Sequence, residues 1–173
     1  MGATVNSELS GKVAIVTGAG RMRGIGRATA VILARMGSNV VVTGTGRNPD
    51  TFPNDEKDVG WRDIDSTVEE IQANGVRGLP LIVDVSREKD VRRMIDSTVD
   101  EFGRLDIIVN NAAAPYGPDR VPVLDLTADV FKDVIDIKLM GTFYCSKAAA
   151  GQMVKQGEGG RIVNLSSTMG KSG

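Results

Sequence analysis

The sequence of 173 residues contains no histidine and only one cysteine, Cys145. A single cysteine cannot form a disulfide within the chain, and without histidine there is no cluster of the usual zinc ligands. The same absence removes the serine–histidine and cysteine–histidine pairs that activate a nucleophile in many hydrolases. The composition therefore predicts neither a metal site nor hydrolase chemistry of these kinds.

The sequence also lacks a large excess of positive or negative charge, and it lacks long apolar runs. The formal net charge is −1 and the sequence pI is about 5.5, so the chain lacks the basic footprint of a nucleic-acid-binding protein. No segment has the length of apolar run that spans a bilayer, and residues 1–10 contain no apolar region typical of a signal peptide. We expect a soluble, cytoplasmic protein without nucleic-acid or membrane partners, folded as one domain over residues 1–173.

The sequence does have a regular alternation of short apolar runs and amphipathic stretches. Runs rich in Val, Ile and Leu are typical of strands buried on both faces, and helical periodicity between them predicts helices on both sides of a parallel sheet. Right-handed crossovers give the strand order 3-2-1-4-5. The predicted strands are residues 13–17, 40–43, 79–83, 105–109 and 161–165, and a long helix is predicted near residues 127–156. The predicted apolar helix faces are Ile64, Val68 and Ile71, and then Val91, Met94, Ile95, Val99 and Phe102.

A glycine-rich turn follows the first predicted strand directly. Residues 17–26 read Thr-Gly-Ala-Gly-Arg-Met-Arg-Gly-Ile-Gly and lead into a helical stretch. Glycine lets the backbone take left-handed angles and lets a pyrophosphate approach closely, while the next helix begins with free N–H groups and the positive end of its dipole. The second apolar strand completes a βαβ unit. The turn therefore predicts a dinucleotide-binding site.

Residues 47–62 interrupt the alternation. They hold two prolines, many charges and Trp61, the only tryptophan, so the sequence predicts a long loop between the second strand and its helix. Two interpretations stay open. The segment is either a surface loop held by Phe52 and Trp61, or a flap over the adenosine end of the cofactor.

Four motifs in order give the chain a resemblance to a known family. They are the glycine-rich turn, Asp84-Val85 after the third strand, Asn110-Asn111-Ala112-Ala113 after the fourth, and Ile162-Val163-Asn164-Leu165-Ser166-Ser167 at the fifth. Over nearly its whole length the chain resembles a short-chain dehydrogenase/reductase. The resemblance implies an α/β fold, a Rossmann-type three-layer sandwich that binds a nicotinamide dinucleotide and transfers hydride between it and a ketone or secondary alcohol. It also implies assembly into homo-oligomers.

The resemblance assigns the cofactor contacts to several segments. Asp84 and Val85 are expected to flank the adenine, and Asn111 is expected to lie beside the cofactor while it ties down the fourth strand. The family turn has three residues between its first two glycines, whereas residues 19–23 separate them here. Arg21 and Arg23 lie in this wider loop, either as phosphate ligands or as solvated charges. The predicted cofactor-binding residues are Gly18, Arg21, Arg23, Gly24, Ile25, Gly26, Thr45, Arg47, Asp84, Val85 and Asn111.

The choice between NADP and NAD depends on the end of the second strand. An acidic residue there accepts hydrogen bonds from the ribose of NAD and repels the 2′-phosphate of NADP. This chain has Gly44 at that position, with Thr45 and Arg47 close behind it. Because Arg47, Arg23 and the Thr45 hydroxyl can receive a phosphate, the sequence favours NADP. NAD stays open, since glycine near an arginine also accommodates it.

The resemblance identifies Ser167 as the catalytic serine, whose hydroxyl bonds the reacting oxygen. Two features depart from the family. Lys138 stands where the family often has a catalytic asparagine, and lysine cannot copy an amide that both donates and accepts. The family's Tyr-x-x-x-Lys segment, which follows the serine and supplies the general acid/base, has no match before Gly173.

Two hypotheses follow from this departure. In the first, the chain is the N-terminal portion of an oxidoreductase, with the C-terminal strands and the proton-transferring residues missing from it. In the second, it is a noncatalytic nucleotide-binding or interaction module. The second hypothesis leaves the fifth strand as an unpaired sheet edge, which favours association with a partner.

Overall fold

Five parallel strands form a single sheet. The computed structural model describes residues 8–114 and 117–167. The strands are β1 (Val13–Val16), β2 (Asn39–Gly44), β3 (Gly78–Ile82), β4 (Ile107–Asn110) and β5 (Arg161–Asn164). They lie in the order β3-β2-β1-β4-β5, which confirms the predicted topology. Pro80 lies in β3, an edge strand, where its missing N–H group is tolerated.

Helices connect the strands and cover the sheet. They are α1 (Ile25–Arg35), α2 (Asn54–Asp58), α3 (Ile64–Gln72), α4 (Glu88–Phe102), α5 (Ala128–Ile135) and α6 (Gly141–Gln156). None of these helices, in the part of the chain that the structure describes, is long and apolar enough to cross a membrane.

Alternate residues of the central strands enter two apolar cores. Ile15 packs with residues of α4 and α6, including Val91, whereas its neighbour Val16 packs with residues of α1 and α3. Every residue of β1 is almost fully buried because both faces of the sheet are covered. The predicted α3 face of Ile64, Val68 and Ile71 is buried, as are the predicted α4 residues Val91, Met94 and Ile95.

The parallel register brings the carboxyl ends of β1, β2 and β4 to one edge. Val16 pairs with Val42 of β2 and with Val109 of β4. The residues that directly follow these positions, Thr17 and Asn110 among them, are therefore neighbours. Ligands of open α/β sheets bind outside this edge, where the strand order reverses.

The segment predicted as a long loop contains helical turns instead. Residues Pro49–Thr51 form a short 3-10 helix, and α2 follows at Asn54–Asp58. Asn48 caps the first of these, since its side chain accepts a hydrogen bond from the Asp50 N–H group, and proline suits the first helical position. The segment connects β2 to α3, as the predicted loop does, but local caps order part of it into helical turns.

The predicted long helix is present but is not regular. Thr127 caps α5, and a π-helical turn at Asp136–Met140 joins α5 to α6. Lys138 lies inside this π turn. Such turns within α-helices occur frequently at functional sites, where they change the direction of side chains.

Asp106, directly before β4, binds the first residue of β1 at the amino ends of the strands. Its carboxylate accepts hydrogen bonds from the Val13 N–H group at 2.9 Å, from Lys12 at 3.2 Å and from Arg104 at 2.8 and 2.6 Å. Burial by itself raises the pKa of Asp106, but the bonds from Arg104, Val13 and Lys12 outweigh burial and hold the pKa below its ordinary value. The carboxylate is therefore ionised in the folded protein at neutral pH.

Asp106→Asn is expected to lower the free energy of unfolding at pH 7 by about 1–3 kcal/mol, because the buried Val13 N–H group and two partly exposed cations lose a charged acceptor. A lowered folded-state pKa means that the wild-type advantage is complete above the unfolded pKa of about 4 and is lost as the pH falls through the folded pKa. Urea unfolding at pH 7 and at lower pH measures this. A difference between the two proteins that stays constant down to about pH 2 would contradict the assignment.

Candidate cofactor site

Two glycines allow close backbone contacts around the turn between β1 and α1. Gly18 has a φ of +67°, a left-handed angle, and a Cβ there would lie 2.8 Å from the Cα of Ala112. A Cβ at Gly26 would lie 2.4 Å from Nδ2 of Asn111 and 2.9 Å from the carbonyl oxygen of Gly18. The turn, the start of α1 and the end of β4 meet this closely because neither glycine has a side chain.

Thr17 and Asn111 hold the ends of β1 and β4 together. Nδ2 of Asn111 donates to the carbonyl oxygens of Thr17 at 2.8 Å and Gly18 at 2.9 Å. The Thr17 hydroxyl accepts from the backbone N–H groups of Asn111 and Ala112, each at 3.0 Å. Asn111 thus ties the end of β4 to the turn, whereas its contact with a cofactor stays a prediction.

The N-terminus of α1 carries no side-chain cap. Gly24 occupies the N-cap position with extended backbone angles and makes no side-chain hydrogen bond to the helix. The first N–H groups of a helix have no partner within it, and together with the dipole they attract an anion. The side chain of Ile25 points away from the core, with 66% of its surface exposed. The backbone beside the turn therefore fits a pyrophosphate.

Three charged side chains lie beside the turn, near the end of β2. Arg47 donates from Nε and Nη2 to Oδ1 of Asp63 at 3.1 and 3.0 Å, and from Nη1 to Oε2 of Glu56 at 2.9 Å. Its Nη2 also donates to the carbonyl oxygen of Gly20 at 3.1 Å. The guanidinium lies over the Phe52 ring, 4.4 Å from the centroid. We call Arg47, Glu56 and Asp63 the charge cluster.

The segment of residues 47–63, which we call the insertion, is bonded to the glycine-rich turn. Oε1 of Glu56 accepts from the Met22 N–H group at 2.8 Å, and Nε1 of Trp61 donates to the carbonyl oxygen of Gly20 at 2.7 Å. Phe52 is buried. These contacts fit the interpretation of a segment held by Phe52 and Trp61, while a role as a flap over the cofactor stays a prediction.

Sequence reasoning missed Asp63 and Glu56. Asp63 lies so close to the turn that a Cβ on Gly20 would be 1.8 Å from its Oδ1. Its backbone has a φ of 54°, and among the described residues other than glycine it alone has a positive φ. Both carboxylates contact residues that are far away in the sequence. The only sign of such contacts in the sequence was the single tryptophan, Trp61, within a segment rich in charged residues.

The residues proposed for the 2′-phosphate differ in their surroundings. Arg23 forms an ion pair with Asp55 at 2.8 Å and is 80% exposed, and Arg21 and Thr45 are also exposed. Contact between these three residues and a phosphate stays a prediction. Arg47 is not the available cation that the sequence suggested, because its guanidinium is bonded to two carboxylates.

Asp84 and Val85 lie at the end of β3. Oδ1 of Asp84 accepts from the backbone N–H group of Ser86 at 3.0 Å and from its hydroxyl at 2.6 Å, as in a cap. Val85 is buried against α6, where a Cβ on Gly141 would lie 2.7 Å from Cγ2 of Val85. Their contacts with adenine stay predictions.

The side chain and the backbone carbonyl of Asn110 both form hydrogen bonds that position the end of β5. Its Nδ2 donates to Oδ1 of Asn164 at 2.7 Å and to Oγ of Ser146 at 3.0 Å, and its carbonyl oxygen accepts from the Leu165 N–H group at 3.1 Å. Ser167 follows two residues later with an exposed side chain. The structure therefore places Ser167 beyond the carboxyl end of β5, and its catalytic role stays a prediction.

Two other groups lie near this edge. Lys138 is exposed on the π turn before α6. Cys145 is buried in α6, and burial raises the pKa of its thiol to about 12. The thiol is therefore protonated at neutral pH and does not act as a nucleophile.

The family follows from comparison with known proteins. The family model described as short chain dehydrogenase matches residues 12–173. A short chain dehydrogenase/reductase of Aspergillus oryzae is 42% identical over 92% of this chain and 54% of its own length. A 3-oxoacyl-[acyl-carrier-protein] reductase of Synechocystis is 36% identical over 95% of this chain and 59% of its own length. The chain belongs to the short-chain dehydrogenase/reductase family, and it spans about half the length of the curated relatives it matches.

Solved structures agree in fold. An NAD+-bound xylitol dehydrogenase superposes with a TM-score of 0.80 at 32% identity, over 96% of this chain and 56% of the other. A carveol dehydrogenase of Mycobacterium avium in complex with NAD gives a TM-score of 0.81 at 30% identity, over 96% and 58%. These neighbours confirm the Rossmann-type sheet.

Gly26→Ala is expected to lower the free energy of unfolding by about 1–3 kcal/mol, because its Cβ would displace the Asn111 amide or the Gly18 carbonyl. Gly151→Ala is the matched control, since a Cβ at this helical glycine meets no atom within 4 Å. We expect the control to stabilise the protein by about 0.5–1 kcal/mol. Chemical unfolding measures both, and equal effects from the two substitutions would refute the close approach at Gly26.

Proposed function

We propose that the protein carrying this chain is an oxidoreductase that transfers hydride between a nicotinamide dinucleotide and a ketone or secondary alcohol. The observation that carries the proposal is the turn at Gly18 and Gly26, packed against Asn111 beside the uncapped N-terminus of α1. This cradle supports binding of a pyrophosphate through backbone N–H groups.

The residues on the edge of the sheet fit the rest of a dinucleotide. Asp84 and Val85, which follow β3, would contact the adenosine half, and Asn111 and Ser167, which follow β4 and β5, would face the nicotinamide half. When bound, the nicotinamide ring supplies the hydride acceptor or donor. The sequence favours NADP over NAD. The choice between them depends on the net charge beside Gly20, to which Glu56 and Asp63 contribute as well as Arg47.

Ser167 is proposed to donate a hydrogen bond to the reacting oxygen of the substrate. A hydroxyl in that position stabilises the negative charge that develops on the oxygen as hydride adds to a carbonyl. Proton transfer is assigned to groups outside these 173 residues, since the family's Tyr-x-x-x-Lys has no match within them. Lys138, exposed on the π turn, stands where the family often has an asparagine, and a lysine can donate a hydrogen bond there but cannot accept one.

The names of relatives support the substrate class. They include dehydrogenases of xylitol and carveol and a 3-oxoacyl-[acyl-carrier-protein] reductase. These names share an alcohol or an oxo group, which supports a ketone or secondary alcohol as the substrate here.

Ser167→Ala is expected to reduce kcat by about 10²-fold or more, because one hydrogen bond to the developing oxyanion is lost. The measurement is the change in nicotinamide absorbance with a panel of ketones and secondary alcohols, using the protein as its gene encodes it.

Ser166→Ala is the matched control and should retain activity. Cofactor affinity should be unchanged in both variants, because the serine acts on the substrate. Equal activity in the two variants would contradict the role of Ser167, and no turnover by the wild-type protein with any substrate of the panel would count against the proposed reaction.

A further inference from the structure

We infer that the insertion makes this site selective for NAD over NADP, with Asp63 and Glu56 as the specificity-determining residues. The inference rests on the proposed function, since it concerns the ribose end of the same cofactor site. It reverses the preference for NADP that Arg47 suggests in the sequence.

The carboxylate of Asp63 is close to two glycines of the candidate site, Gly20 and Gly44. A Cβ on Gly20 would lie 1.8 Å from Oδ1 of Asp63, and a Cβ on Gly44 would lie 3.4 Å from its Oδ2. The carboxylate therefore lies between the glycine-rich turn and the end of β2. In dinucleotide-binding folds this is the place of the acidic residue that accepts from the adenosine ribose. Asp63 supplies that charge from the far end of the insertion.

The guanidinium of Arg47 already has hydrogen-bond partners within the protein. All three nitrogens of its guanidinium donate, to Asp63, to Glu56 and to the carbonyl oxygen of Gly20. Only 18% of the side chain is exposed. A bidentate grip on a phosphate needs two donors on one edge of the guanidinium. Arg47 would have to leave its present partners to provide them.

The carboxylates make that change unfavourable. The side chains of Glu56 and Asp63 are 4% and 11% exposed. If Arg47 turned toward a 2′-phosphate, two buried carboxylates would lose their cation and face a third negative group. The charge cluster contains one cation and two anions, so it repels a phosphate even when it stays intact.

Neighbouring cations do not reverse this balance. Arg23 is paired with Asp55, and Arg27 is paired with Glu70 on α3. Lys57 donates to the carbonyl oxygen of Asp50 on the outside of the insertion. Arg21 is exposed on the turn itself, and the variant Arg21→Gln tests whether it binds a 2′-phosphate.

The test measures dissociation constants of NAD+ and NADP+ by calorimetry, with the protein as its gene encodes it. The wild-type protein should bind NAD+ at least about tenfold more tightly than NADP+. Glu56→Gln and Asp63→Asn each remove a negative charge and keep an acceptor, and asparagine has nearly the same shape as the aspartate that adopts a positive φ at residue 63. Each variant should tighten NADP+ binding by about tenfold and change NAD+ binding much less.

Glu101→Gln is the matched control. It removes an exposed carboxylate of α4 that pairs with Arg77, a residue outside the insertion and directly before β3. The control should leave the ratio of the two dissociation constants unchanged. An equal shift of the ratio in the control and in Glu56→Gln would overturn the inference, because net charge rather than the charge cluster would then explain it.

A comparison of 5′-AMP with adenosine 2′,5′-bisphosphate needs no variant and should show tighter binding of the former. Tighter binding of NADP+ or of the bisphosphate by the wild-type protein overturns the inference while leaving the proposed function intact. If that binding is lost in Arg21→Gln, Arg21 is the phosphate ligand. Failure of both dinucleotides to bind refutes the proposed function, and the inference with it.

Discussion

The hydrogen bonds between Thr17 and Asn111 are the interaction on which the site depends. The ends of β1 and β4 meet where the strand order reverses, and the Thr17 hydroxyl accepts two backbone N–H groups there. The Asn111 amide in turn holds the carbonyl of Gly18. With the turn fixed in this way, Gly26 must remain without a side chain, and α1 begins with its N–H groups beside the turn. A few short contacts thus hold the turn that we propose as the pyrophosphate site.

The insertion places charged side chains beside this backbone site. It attaches to the turn through Trp61 and Glu56, and its charge cluster lies against Gly20. An arginine close to a cofactor is commonly taken as a phosphate ligand, yet its charge acts only if it is not already neutralised. Here two carboxylates surround one guanidinium. The local balance of charge, rather than the presence of Arg47, sets the preference that we infer.

Much of the fold was predictable because its signals are local. The apolar run at residues 13–16 reflects burial on both faces of the sheet, and the glycines at 18 and 26 mark where backbones must approach. The charge cluster was not predictable in this way. Asp63 and Glu56 contact a turn more than thirty residues earlier, and no periodicity within residues 47–62 indicates that contact. Likewise, nothing in the sequence marks the π turn at Lys138.

A crystal structure of the protein with NAD bound would show whether the charge cluster meets the adenosine ribose. We expect the pyrophosphate at the N-terminus of α1, beside Gly24 and Gly26. We also expect the adenosine ribose within hydrogen-bond distance of the charge cluster, with Arg47 still paired to Asp63. A dinucleotide bound away from the turn, or a ribose far from the charge cluster, would contradict the roles proposed for the turn and for the charge cluster.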